Sequence, residues 1–189
     1  MNLLPLAVFK FSALDITGNP TITIPAGGTP NLALISVGDI TSGPPGGILT
    51  FTGLNSLLLA TQAGSITLTS DLSFENIPSL AFYARGTGSN LTLDSGISGT
   101  TDIFFGAEGN IISNGALAIT QTNNGLSTGL FAAVIAGNAI TLGNGLSIVN
   151  DNSGGGNLVA GGTIVVTAGG ALSAGGDLTL DVLNNGGGQ

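Results

Sequence analysis

Hydroxyls aside, the side chains of these 189 residues that could do acid–base or nucleophilic chemistry are ten carboxylates, Tyr83, Lys10 and Arg85, because histidine and cysteine are absent. Two carboxylates can cleave a glycoside between them, one as acid and the other as base or nucleophile, when they stand roughly 5–9 Å apart. The pairs on offer are Asp94 with Asp102 and Asp177 with Asp181. Asp177 and Asp181 share one strand face, which sets their Cα atoms about 13 Å apart at ~3.3 Å per residue, wide for either mechanism. Polysaccharide-active enzymes also cluster such carboxylates with Lys, Arg or His, whereas Lys10 and Arg85 stand far apart along this chain. The expectation is therefore solvated turn carboxylates, no catalytic residue and no enzyme.

Metal and cofactor chemistry finds little to work with. Without Cys or His there is no thiolate or imidazole site. Acidic turns could offer oxygen ligands to calcium, but the repeated Gly-Gly-x-Gly-x-Asp unit of calcium-binding rolls is reduced to Gly175-Gly176-Asp177. No metal and no cofactor is expected. Tyr83 and Arg85, the sole Tyr and Arg, fall on one strand face if Leu80, Phe82 and Ala84 point inward. Glu108 follows Arg85 at close to the interval at which the strand phrases of this chain recur. An Arg85–Glu108 ion pair is the favoured reading, with a small carbohydrate-contact patch as its alternative.

These residues must be carried by short strands. Apolar residues alternating with Thr or Ser recur after Gly or Asn turns, as in Gly64 to Leu68, Asn90 to Leu93, Asn138 to Leu142 and Gly176 to Leu180. Ile66, Leu91, Leu117, Ile140 and Ile164, taken as the first inward residues, follow one another at nearly even steps, each about 24 residues and so within the range of a solenoid repeat. Two or three strands of ~5 residues plus turns fill such a repeat. The predicted fold is all-β: a right-handed parallel β-helix or solenoid of about seven rungs of ~24 residues, with helix scarce because no 3.6-residue period is sustained. Expected inside are Ile66, Leu68, Leu91, Leu93, Leu117, Ile119, Ile140, Leu142, Ile164, Val166, Leu178 and Leu180. A β-sandwich is the rival, disfavoured by the long period and the lack of a buried Trp.

Composition divides the chain. Six of seven prolines fall between Pro5 and Pro45, so residues 1–46 read as a Pro-rich opening region of cap strands, joined by the loop at 42–47 to solenoid repeats over 47–189. The apolar opening has Lys10 after it and no small-residue cleavage site, and reads as a first strand. The Asn- and Gly-rich end lacks a capping helix, so the last rung is expected to meet a neighbour or a longer array. Outward positions of the recurring phrase, Thr67, Thr92, Ala118, Thr141 and Val165, would stack as one column; Thr67, Thr92 and Thr141 are thus the candidate ice face, with Thr69, Thr120 and Thr167 as parts of a second. Turn asparagines such as Asn90, Asn110 and Asn138 are expected to form stacked ladders.

A net charge of −8 with two basic residues argues against nucleic acid and against anionic membrane surfaces. No apolar run reaches the ~18 residues that span a bilayer, so no membrane insertion is expected. The phrases Gly109-Asn-Ile-Ile-Ser113 and Gly137-Asn-Ala-Ile-Thr-Leu142 resemble filamentous-haemagglutinin-like and autotransporter passenger regions, a likeness covering residues 60 to 183. The resemblance implies a β-helix outside the cell with an adhesive, biofilm or filament role. The functional expectation is a non-catalytic structural or adhesive solenoid, extracellular or at the cell surface. Its partners would be other copies of itself, end to end or side by side, and surface polysaccharide. Ice binding and polysaccharide chemistry are the alternatives.

Overall fold

Strands here are short because the apolar phrases are cut by turns, many of them rich in Gly or Asn, and each can satisfy its backbone only by lying beside the equivalent phrase of the next turn of chain. The computed structural model describes residues 6–16, 21–23, 31–42, 48–69, 71–75, 77–94, 97–99, 102–123, 129–152 and 161–184. The loop proposed at 42–47, apart from Ser42, and residues 1–5 and 185–189 lie outside these. The described residues form a parallel β-solenoid with no helix.

The first face is a seven-stranded sheet of Leu6–Phe11, Asn31–Ser36, Ser56–Thr61, Ser79–Ala84, Asp102–Ala107, Phe131–Ala136 and Thr163–Ala168. The second stacks seven three-residue strands: Leu14–Ile16, Ile40–Ser42, Ile66–Leu68, Leu91–Leu93, Ile111–Ser113, Ile140–Leu142 and Leu172–Ala174. A third face divides into Thr21–Thr23, Ile48–Thr52 and Asp71–Glu75, then Ile97–Gly99, Leu117–Thr122, Leu146–Asp151 and Leu178–Leu183. All strand pairs run parallel. Strands within residues 6–42 continue the first two faces in the same register as those that follow.

Alternation sends every second residue inward, so the core is a set of apolar columns. One runs Leu34, Leu59, Phe82, Phe105 and Val134 down the first face. Within it the rings of Phe82 and Phe105 stack with centroids 5.3 Å apart, an offset favourable to aromatic pairs. Of the residues expected inside, Ile66, Leu68, Leu91, Leu93, Leu117, Ile119, Ile140 and Leu142 are buried, and Ile164 and Val166 pack against the core half-buried. Leu178 and Leu180 are instead 51% and 48% exposed. They pair with Leu146 and Ile148 but lie in the last described rung, with no described strand on their other side.

The recurring phrase is not one column. Leu91 stacks on Ile66, but its next partner is Ile111. Leu117 belongs to the third face, against Leu146, and Ile164 to the first, against Ala132. The true column of the second face is Ile40, Ile66, Leu91, Ile111, Ile140 and Leu172. Its steps along the chain are uneven, shortest from Leu91 to Ile111 and longest from Ile140 to Leu172. A solenoid fixes which residues stack, whereas corner loops are free to vary in length.

Corners bring backbones closest. A Cβ on Gly64 would stand 2.4 Å from the Gly38 carbonyl carbon, so no other residue fits there without moving the rung. At the same corner a relay of side chains joins consecutive rungs. Asp39 Oδ1 accepts the Ser65 N–H at 2.8 Å, Ser65 Oγ the Asn90 N–H at 3.0 Å, Asn90 Oδ1 the Asn110 N–H at 2.8 Å, and Asn110 Oδ1 the Ala139 N–H at 3.1 Å. Asn110 Oδ1 also accepts from Asn138 Nδ2 at 2.9 Å. Replacing Asn110 by Ala leaves the Ala139 amide without its acceptor and is expected to destabilise the fold by about 1–3 kcal/mol. Asn144→Ala, at an exposed turn, is expected to change stability by less than about 0.5 kcal/mol. Urea unfolding followed by circular dichroism checks both, and equal midpoints for the two variants would contradict a structural relay.

Candidate functional site

The second face has strands of only three residues, so each offers solvent a single central side chain. In register these are Asp15, Thr41, Thr67, Thr92, Ile112, Thr141 and Ser173. Thr67 and Thr92 are thus adjacent, while Ile112 separates Thr92 from Thr141. Ala118 and Val165 are not in this column: Ala118 pairs with Ser147 on the third face and Val165 with Ala133 on the first. Thr69 follows the second-face strand, Thr120 lies on the third face and Thr167 on the first, so they make no second column. The threonine array is one residue wide. Thr41, whose Oγ1 donates to Asp15 Oδ1 at 2.8 Å, was legible in Asp39-Ile40-Thr41, which repeats the alternation of the other phrases.

Tyr83, Arg85 and Glu108 do come together, at the corner where the first face ends. Arg85 Nε lies 3.8 Å from Glu108 Oε1, with side chains 66% and 40% exposed. Tyr83 Oη donates to the same oxygen at 3.3 Å, and the Gly86 N–H donates to Glu108 Oε2 at 3.0 Å. Gly86 has φ +114°, a backbone state open to glycine. Both carboxylate oxygens are therefore engaged by the chain itself, and the cluster clamps one rung to the next.

Asp94 and Asp102 are held by different partners. Asp94 accepts the N–H and the Nδ2 of Asn114, both at 2.9 Å. Asp102, at the start of a first-face strand, accepts the Phe131 N–H at 2.9 Å. Asp177 precedes the strand that contains Asp181. Among the described residues no group of three or more His, Cys, Asp or Glu could hold a metal ion, and no helix is long and apolar enough to cross a membrane.

One surface went unnoticed in the sequence. Of the three outward columns of the first face, the one at the strand starts is mostly polar (Asn31, Ser56, Ser79, Asp102, Phe131 and Thr163), while the other two are largely apolar and alternate large with small. One column reads Ala33, Leu58, Ala81, Phe104 and Ala133, and its neighbour reads Ile35, Ala60, Tyr83, Gly106 and Ile135. Large side chains lean over small ones: a Cβ on Gly106 would stand 2.8 Å from both the Tyr83 and Phe104 rings, which meet edge to face at 6.2 Å. Ala33 and Ala133 lie outside the interior cluster yet are only 5% and 0% exposed. The signal was present as strands that are apolar at every position, such as Phe131–Ala136, where a solvated face would alternate.

Comparison with protein-family models, with curated proteins and with solved structures finds no match to this chain. At the Glu108 clamp, Arg85→Ala removes an exposed ion pair and is expected to cost less than about 1 kcal/mol. Glu108→Ala removes in addition the acceptor of the Gly86 amide and is expected to cost about 1 kcal/mol more. Thermal unfolding of the two variants measures the difference, and a larger loss in Arg85→Ala would overturn this ranking.

Proposed function

We propose that this chain is a non-catalytic structural or adhesive β-solenoid that works outside the cell or at its surface, as part of a surface layer, biofilm matrix or filament. The observation that carries the reading is the use made of the carboxylates. Asp15, Asp39, Asp94, Asp102 and Glu108 each accept a hydrogen bond from the adjacent rung, which occupies in rung stacking the groups an enzyme would need in a cleft. A stacked parallel array of this kind opens rarely, and trypsin has only Lys10 and Arg85 to cut after, properties suited to an exposed protein. The resemblance to filamentous-haemagglutinin-like passengers points the same way.

The partners of this reading are further copies of the chain, end to end or laterally, and surface polysaccharide, with no nucleic acid and no membrane insertion. A second reading, ice binding, has the Thr41–Thr67–Thr92 stack in its favour and the single-residue width of that column against it. It requires thermal hysteresis that disappears in Thr92→Tyr and Thr141→Tyr.

The scaffold reading is tested on cells that produce the protein. Antibody is expected to label them without permeabilisation, and electron microscopy of the labelled material is expected to show a layer or filaments. Labelling confined to permeabilised cells would remove the surface role. Polysaccharide turnover by the pure protein, abolished by Asp94→Asn or Asp102→Asn, would replace it with an enzyme.

A further inference from the structure

We infer that Asn144 is a site of spontaneous covalent modification, deamidation through a cyclic imide with water as the only co-reactant, and that the stacked rungs direct this chemistry to Asn144 and away from Asn114. The inference stands apart from the surface role proposed above.

The reaction needs an asparagine whose side-chain carbon can be reached by the backbone nitrogen of the next residue. The Gly145 nitrogen attacks Asn144 Cγ and loses its proton, the N–Cγ bond forms, and the Cγ–Nδ2 bond breaks to release ammonia. Water then opens the imide. Opening at Cγ leaves an aspartate at this position, whereas opening at the former backbone carbonyl leaves an isoaspartate, whose main chain runs through the side-chain carbon. In sum an amide and water become a carboxylate and an ammonium ion, with no change of oxidation state. Glycine favours the first step, because no Cβ stands beside the attacking nitrogen and its backbone turns freely.

Among the described residues two corners carry such a pair, Asn114-Gly115 and Asn144-Gly145, and the pairs at 124–125 and 185–186 lie outside them. The two corners are one rung apart, the Asn144 N–H donating to the Gly115 carbonyl at 3.2 Å. Stacking accounts for the glycine at the later one: a Cβ on Gly145 would stand 2.6 Å from the Asp177 carbonyl oxygen. A demand of rung packing thus supplies the residue that makes Asn144 reactive. The asparagines of the corner relay, Asn90, Asn110 and Asn138, are instead followed by Leu91, Ile111 and Ala139, whose side chains crowd the attacking nitrogen.

Hydrogen bonding separates the two pairs. Asn114 is exposed but clamped, since Asp94 accepts both its N–H and its Nδ2 at 2.9 Å. To bring its Cγ onto the Gly115 nitrogen, Asn114 must give up a charge-assisted bond made by the leaving group itself. Asn144 is equally exposed, and among the described residues neither its side chain nor the Gly145 N–H makes a hydrogen bond. No described amide donates to the Asn144 carbonyl either, so no hydrogen bond holds the peptide group that must rotate. The isoaspartate route lengthens the main chain by a carbon atom at a corner where even a Cβ on Gly175 would collide with the Gly143 carbonyl.

The test ages the full chain in mildly alkaline buffer, folded and in urea. Mass spectrometry of chymotryptic peptides, with fragmentation to localise each site, follows the exchange of NH for O. In the folded protein Asn144 is expected to convert at least roughly tenfold faster than Asn114, the factor that a lost charge-assisted hydrogen bond represents. In urea the two are expected to convert at similar rates. Asp94→Ala is expected to bring Asn114 up to the rate of Asn144, and Asn144→Gln to stop the reaction at that corner while keeping the strand spectrum. Equal rates at Asn114 and Asn144 in the folded protein overturn the inference. So does an Asn144 that stays intact in the folded chain over the time that converts it in urea. An Asn114 that stays slow in Asp94→Ala overturns the directing role of the fold.

Discussion

Parallel strands cannot satisfy one another across a tight turn, so each strand of this protein must find its hydrogen-bond partner a full rung away. That constraint organises the rest of the molecule. Each described rung meets it with three strands, sets inward residues over inward residues, and lets backbone pass close to backbone at corners such as Gly64. It also explains the fate of the polar side chains. Where the main chain at a corner has no strand partner, Asp39, Ser65, Asn90 and Asn110 offer oxygens in place of carbonyls. Asp15, Asp94, Asp102 and Glu108 are drawn into the same service.

Much of this was legible in the residues. Alternation of Ile, Leu and Val with Thr identified the strands, and Gly or Asn identified the corners. The fold class followed, because such strands at long intervals with no helical period leave few architectures. The misreading lay in assigning strands to faces. Leu117 and Ile164 begin phrases much like that of Ile140, yet the three belong to three different faces, and a periodicity count cannot tell one side of the rung from another. What sorts them is the length of the corner loops, which carries no signature of its own.

The fifth and sixth rungs carry a second set of polar side chains at such a corner. Their corner between the third and first faces holds Gln121, Asn123, Asn150 and Asn152, all buried. Gln121 Nε2 donates to the Phe131 carbonyl at 2.9 Å, and Asn152 Oδ1 accepts from the Leu130 N–H at 3.0 Å and from Asn123 Nδ2 at 3.2 Å. One rung on, the Gly162 N–H donates to Asn184 Oδ1 at 3.2 Å. These amides hold the chain where it re-enters the first face. In a sequence so rich in Asn, nothing distinguishes these buried amides from exposed turn residues such as Asn144. The apolar outer columns of the first face escaped notice for a related reason: an apolar residue looks the same in the sequence whether it points into the core or out of it.

The corner relay has a direction. From Asp39 to Ala139 the acceptor always belongs to the earlier rung and the donor to the later one. A completed rung therefore displays, along its free edge, both the strand backbone and the side-chain oxygens against which the following segment can be laid. Each addition closes a loop of only a few tens of residues, and no contact has to wait for a distant part of the chain. Rungs laid down in chain order would each meet, already in place, the oxygens and the strand edge that they need.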